Sequence, residues 1–186
     1  MSGLIEAVQT VCIQVRNQTD RGTSFQSLLS KLRREFQKQH IDLYIRSLRK
    51  SKLQVEEFYV NAYYDPEDDL DNEIPIEIII YHNFDSKTFW DKKHVTDLLI
   101  QVFDAVIHEF RHRKQSKKKN HNIFWKHSKK VESYLSDPDE IDAYALSISI
   151  ELCRSIGKFR AIRYLHKPST LSKFKIQDKY VSPNLS

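Results

Sequence analysis

One short stretch of this 186-residue chain has residue types and a spacing that can do chemistry: His108-Glu109-Phe110-Arg111-His112, an H-E-x-x-H motif. Residues four apart on an α-helix leave the same face one turn apart, because each residue turns the helix by about 100°. The two imidazoles can therefore hold one Zn²⁺ through a ring nitrogen each. Glu109 then lies where its carboxylate can act as a general base on a metal-bound water.

A catalytic zinc site needs a third protein ligand and leaves the fourth position for water and substrate. Glu140 is the first candidate, since it opens the next predicted helix and can face the motif across a pair of antiparallel helices. Asp137 and Glu140 also have capping-box spacing, in which Glu140 would bond to the backbone instead. His121 is the second candidate, because imidazole is a better zinc ligand than carboxylate and this histidine follows the motif helix in a loop. The sequence leaves this choice open. It also allows an alternative in which His108 and His112 are ordinary residues on the polar face of the helix and bind no metal.

Three further side chains are candidates for supporting roles. Tyr144 lies one turn after Glu140 on the same helix face, where its hydroxyl can stabilise the oxyanion of a tetrahedral intermediate. A core tyrosine is the alternative interpretation. Asp104 and Asp142 can orient an imidazole through its second nitrogen, or they are simply surface acids.

The elements that must position these side chains follow from the spacing of apolar residues. Helices are predicted at 4–18, 25–39, 91–115, 137–155 and 158–165. Alternation predicts two strands, 58–64 and 74–80, forming an antiparallel pair around an acidic loop at 65–72. Pro75 cannot donate a ladder hydrogen bond, so we expect the second strand to lie at a sheet edge or to begin there. Segment 41–45 fits a short strand or a helical extension.

Size and composition fit one compact domain. The chain has a mass of 22.1 kDa, with 40% hydrophobic and 30% charged residues. Three glycines and five prolines give little turn punctuation, which favours long helices over a strand-rich sandwich or barrel. Cys12 and Cys153 cannot build a disulfide framework, which indicates a reducing compartment. We expect a single domain at 1–165 and a C-terminal strap or tail at 166–186.

Charge is distributed unevenly along the chain, whose formal net charge is +5. Segment 111–130 is basic and contains no acid, whereas segment 65–77 is acidic and contains no base. A basic run of this kind is either a solvated loop or a surface for nucleic acid or an acidic partner.

Hydropathy predicts a protein that does not enter a membrane. The longest apolar runs, 78–80 and 98–100, are far shorter than a bilayer requires. The N-terminus lacks the basic-then-apolar order of a secretion signal. We therefore expect a cytoplasmic protein that is not exported by a classical signal.

The motif and the segment after it resemble a known class of enzymes. The HExxH motif at 108–112, followed by an E-x-x-A step at 140–143, is similar to the zincin metallopeptidases of the gluzincin type. The E-x-x-A step resembles that of the compact ImmA/IrrE-type peptidases. Segment 134–140 resembles small HExxH proteins encoded by tailed bacteriophages, which would make the compartment a host cytoplasm.

The resemblance implies a fold, a cofactor and a reaction. The fold would be an α+β zincin-like domain, rich in helix, with a short antiparallel sheet packed on the HExxH helix. Zn²⁺ would be held by His108, His112 and Glu140, and peptide bonds of a protein or peptide substrate would be hydrolysed with Glu109 as general base. An edge strand at 74–82 would bind that substrate in extended form.

A different interpretation uses the basic loop at 111–130. His121 with Phe124-Trp125 resembles the third-histidine segment of SprT-type DNA-associated proteases. This resemblance implies a zinc protease that the basic loop steers to nucleic acid. The basic loop by itself also allows a non-catalytic zinc protein that uses it to bind nucleic acid or an acidic partner.

Overall fold

The computed structural model describes residues 2–19, 21–54, 57–71, 73–85, 88–119 and 137–165. In chain order the elements are α1 (Ser2–Asn17), β1 (Thr23–Ser24), α2 (Phe25–Lys38), β2 (Tyr44–Arg49), β3 (Phe58–Tyr64), α3 (Pro66–Leu70), β4 (Ile76–His82), β5 (Phe89–Trp90), α4 (Lys92–Lys118), α5 (Pro138–Ile156) and α6 (Lys158–Leu165). Helices together with small sheets confirm the α+β class. The chain divides into two compact units, Met1–Ala143 and Tyr144–Ser186.

The helices predicted from apolar spacing are present, with ends shifted by a few residues. Helix α2 shows the cause, because its buried apolar side chains recur at spacings of three and four: Phe25, Leu28, Leu29, Leu32 and Phe36. Helix α4 continues past the predicted end at 115 to Lys118. Asp91 caps its start by accepting a hydrogen bond from the backbone N–H of His94 at 2.9 Å.

Strand β4 lies in the middle of a three-stranded mixed sheet with the order β2-β4-β3. Strand β3 pairs with it antiparallel, which confirms the predicted pair, and β2 pairs with its other side in parallel. The interpretation of β4 as an edge strand is therefore wrong, and the alternative, that the strand begins after Pro75, is confirmed. Because neighbours occupy both sides of β4, the expectation that substrate pairs with 74–82 is also wrong.

The acidic loop predicted at 65–72 contains a short helix, α3. Asp65 caps it by accepting a hydrogen bond from the N–H of Glu67 at 2.8 Å, and Pro66 occupies the first turn, where no backbone donor is needed. Segment 41–45 leads into a strand, since β2 begins at Tyr44.

The core of the first unit lies between one face of the sheet and the helices. Ile76, Ile78 and Ile80 of β4 alternate along the strand and are fully buried. Helix α4 packs on β3 and β4, α2 packs on β2, and α1 contacts both α2 and α4. The motif helix therefore lies directly against the sheet, with its long axis fixed by packing on both sides.

Glu35 is a buried acid of α2 whose role is to stabilise the fold. Its side chain is 1% exposed, and its Oε1 accepts hydrogen bonds from Lys38 at 2.9 Å and from Gln18 at 3.1 Å. These two partners hold the pKa of Glu35 below its ordinary value of 4.5. A carboxylate with a depressed pKa stabilises the fold above its ordinary pKa, and this stabilisation is lost as the pH falls through the folded-state pKa.

We expect Glu35→Gln to lower the free energy of unfolding by about 1–3 kcal/mol at neutral pH, because the partners of Glu35 lose a charged acceptor. The difference from wild type should vanish once the pH is well below 4.5. Urea unfolding across this pH range measures both effects. Glu6→Gln changes an exposed acid of α1 and is the matched control, expected within about 0.5 kcal/mol of wild type. An equal loss for Glu35→Gln at both ends of the range would contradict the prediction.

The second unit contains the remainder of α5 and helix α6. Gly157 separates the two helices with a φ of 80°, a left-handed conformation that favours glycine at a helix end. The strap predicted at 166–186 lies outside the described residues, so the domain bounds stay predictions. Within the described ranges, no helix combines the length and apolar character that a bilayer crossing needs.

Candidate metal centre

Helix α4 and the first turn of α5 bring three donor side chains together. The Nε2 atoms of His108 and His112 lie 2.9 Å apart on one face of α4. The two carboxylate oxygens of Glu140 lie 3.3 Å from Nε2 of His108 and 3.4 Å from Nε2 of His112. All three residues are buried and belong to the first unit. The predicted ligand set is therefore a single cluster in space.

The cluster is close in size to a tetrahedral metal site. Donors about 2.0–2.2 Å from a tetrahedral ion lie about 3.3–3.6 Å from one another. The separations of 3.3 and 3.4 Å between histidine and glutamate fall in this range but involve different oxygens of Glu140, and the 2.9 Å between the two imidazole nitrogens is shorter. Among the described residues, two imidazoles and one carboxylate supply three donors, one fewer than a tetrahedral ion takes. These residues fit a metal ion with nitrogen and oxygen ligands.

Glu109 lies buried beside the cluster, with 8% of its surface exposed. Burial raises the pKa of its carboxyl above the ordinary value, and the charge of Glu140 adds to the rise. His108, His112 and the backbone N–H of Tyr64 act in the opposite direction. The carboxylate is thus held between the ligand cluster and the end of β3.

Burial and nearby negative groups act in opposite directions on the pKa of His112. Burial disfavours its charged form, but the Glu140 hydrogen bond and the charges of Glu109 and Glu140 outweigh burial and raise the pKa of His112. The same negative charges favour a metal cation at Nε2. Protons and a metal ion therefore compete for one nitrogen.

The start of α5 explains why Glu140 points at the histidines. Asp137 caps the helix by accepting a hydrogen bond from the N–H of Asp139 at 2.8 Å. Asp142 binds the Arg111 guanidinium through two hydrogen bonds of 2.5 and 2.9 Å. The arginine inside the motif is thereby neutralised by an acid, and the first turn of α5 is held against α4 with Glu140 facing the histidines.

A second polar contact holds the end of β3 against α4. Asp69 of α3 accepts hydrogen bonds from Arg113 at 2.7–3.1 Å and from the Tyr64 hydroxyl at 3.2 Å. Burial opposes the charge of Asp69, but Arg113 keeps the pKa of Asp69 below its ordinary value. Burial and the Asp69 charge raise the pKa of Tyr64 to about 12. This corner fixes the backbone of Tyr64 beside Glu109.

The remaining predicted residues are placed less completely. His121, the rival third ligand, lies outside the described residues, as do Phe124 and Trp125. Tyr144 is half-buried and is the first residue of the second unit, so its role at the oxyanion stays a prediction. The role of Asp104 also stays a prediction.

Sequence reasoning missed Gln115 and the corner built by Tyr64 and Asp69. A signal for Gln115 was present, because positions 112 and 115 are neighbours on one helix face. No local signal indicated that Asp69 pairs with Arg113, since these residues are far apart in the sequence and each sits in a run of like charge.

The described part of the basic run is largely paired with acids of the same chain. The ion pairs are Arg111 with Asp142, Arg113 and Lys117 with Asp69, and Lys119 with Asp139. The acidic run at 65–77 and the basic run at 111–130 thus meet through Asp69. This internal neutralisation reduces the positive charge that these four side chains offer to a phosphate backbone.

Comparison with protein families, curated proteins and solved structures gives no match.

Proposed function

We propose that the protein is a zinc-dependent metallopeptidase with a zincin-like, gluzincin-type site. The observation that carries the proposal is the convergence of His108, His112 and Glu140, with a buried Glu109 carboxylate that interacts electrostatically with all three. Nitrogen and oxygen donors in a three-plus-one arrangement suit Zn²⁺, and the adjacent acid is the group that water-activating hydrolases require.

The roles of the residues follow from their positions. His108, His112 and Glu140 would hold the ion, which when bound supplies an acidified water and polarises a carbonyl. Glu109 accepts the proton of that water and delivers it to the leaving amine. Burial keeps bulk water away from its carboxylate.

Strand β3 lies on one side of the described sheet and packs against α4. Hydrogen bonds from Asp65 N–H to Pro75 C=O and from Asn83 N–H to Glu57 C=O show that odd-numbered residues of this strand pair with β4, so even-numbered residues direct their N–H and C=O groups away from β4. Three of these N–H groups already interact with acceptors of the same chain: Val60 donates to Gln101 at 3.0 Å, Ala62 to Asn61 at 3.1 Å, and Tyr64 interacts with Glu109.

The proposal as a whole is tested on full-length protein purified without a histidine tag. We expect one zinc per chain by mass spectrometry, and cleavage of a mixed peptide library that stops with 1,10-phenanthroline and returns with added Zn²⁺. Cleavage that survives the chelator, or a chain that takes up no zinc after reconstitution, would contradict it.

A further inference from the structure

Gln115 connects a metal-ligand candidate to the neighbouring helix. It lies three residues after His112 on α4 and is 9% exposed. Its Oε1 is 3.0 Å from Nδ1 of His112. Its Nε2 donates to the carboxylate of Asp142 at 2.7 Å and to the backbone carbonyl of Asp139 at 3.1 Å.

These contacts define which way round the Gln115 amide lies. Two acceptors, the Asp142 carboxylate and the Asp139 carbonyl, surround one end of the amide, so that end must be the NH₂ group. The carbonyl oxygen then faces His112, and only a protonated Nδ1 can bond to it. His112 is thereby set in the tautomer whose Nε2 lone pair faces His108 and Glu140.

The same side chain also acts on the position of Glu140. Asp139 and Asp142 flank Glu140 on the first turn of α5, and Gln115 bonds to both. A shift of Gln115 would therefore move Glu140, and it would also release the imidazole ring of His112.

We propose that Gln115 is the positioning residue of this centre: it fixes the tautomer of His112 and the register of Glu140 with one amide group. This inference rests on the proposed metal site. It assigns Gln115 no contact with substrate or with the reacting atoms.

The test compares the Zn²⁺ affinity of full-length wild type with that of Gln115→Met, which keeps the length of the side chain and removes all three hydrogen bonds. Competition with a chromophoric chelator measures the affinity without any assay of activity. We expect Gln115→Met to bind zinc about 10- to 100-fold more weakly, the usual effect of losing a hydrogen-bond partner of a ligand histidine.

Lys119→Met is the matched control, because Lys119 also pairs with Asp139 on the same helix face but forms no hydrogen bond with a histidine of the described ranges. It should keep the wild-type affinity. Nitrogen NMR of the neutral, metal-free imidazole gives a second readout: His112 should carry its hydrogen on Nδ1 in wild type and lose this preference in Gln115→Met.

The outcomes separate the two proposals. Wild type that binds no zinc would overturn the metal site itself. Wild type that binds zinc while Gln115→Met binds it equally well, or a wild-type His112 protonated on Nε2, would overturn the role of Gln115 alone.

Discussion

Glu109→Gln is expected to slow peptide hydrolysis by about 10²- to 10⁴-fold, the usual contribution of a general acid-base group. The amide has the size of the carboxylate but cannot accept the proton of a water molecule at neutral pH. The substitution leaves His108, His112 and Glu140 in place, so zinc content should remain one per chain. Single-turnover cleavage of a peptide, measured alongside zinc by mass spectrometry, gives both numbers on one sample.

Glu109→Asp is the informative companion, since it keeps the carboxylate and withdraws it from the cluster by one methylene. We expect it to show activity between those of Glu109→Gln and wild type, because proton transfer depends on reach as well as on charge. Wild-type activity in a zinc-loaded Glu109→Gln protein would exclude Glu109 as the base.

Glu140→Ala is expected to lower zinc affinity by more than about 100-fold, beyond the range for losing a supporting hydrogen bond. The reason is the geometry of the cluster, in which the carboxylate lies within 3.4 Å of both imidazole nitrogens. Of the three donors in the described cluster, His108 and His112 then remain. Chelator competition measures the affinity, and peptide cleavage should fall with zinc occupancy.

His121→Ala decides between the two ligands that the sequence left open. If Glu140 is the third ligand, His121→Ala keeps the wild-type zinc affinity, and only Glu140→Ala loses it. If instead His121→Ala loses zinc affinity and Glu140→Ala keeps it, His121 is the third ligand and the SprT-like interpretation is favoured. Circular dichroism of both variants controls for loss of folding.

The sequence alone predicted the features that depend on contacts between residues close together in the chain. The apolar period that predicts α4 also places His108 and His112 one turn apart, because side-chain direction in a helix depends only on residue spacing. The helix caps at Asp91 and Asp137 are also local, because each carboxylate accepts a hydrogen bond from a backbone N–H two or three residues later in the chain. The antiparallel pairing of β3 with β4 likewise follows from two alternating segments joined by a short connection.

Tertiary structure decided the features that depend on distant residues. The central position of β4 results from pairing with β2, a segment more than 25 residues earlier in the chain that local patterns left ambiguous. The meeting of Asp69 with Arg113, and of Gln115 with Asp139 and Asp142, needs side chains from separate helices. The sequence by itself determined the residue types that can bind a metal and the helix that displays two of them. Only the fold brought Glu140 to the histidines and the end of β3 to Glu109, because packing between elements, unlike helix spacing, is set by the whole core at once.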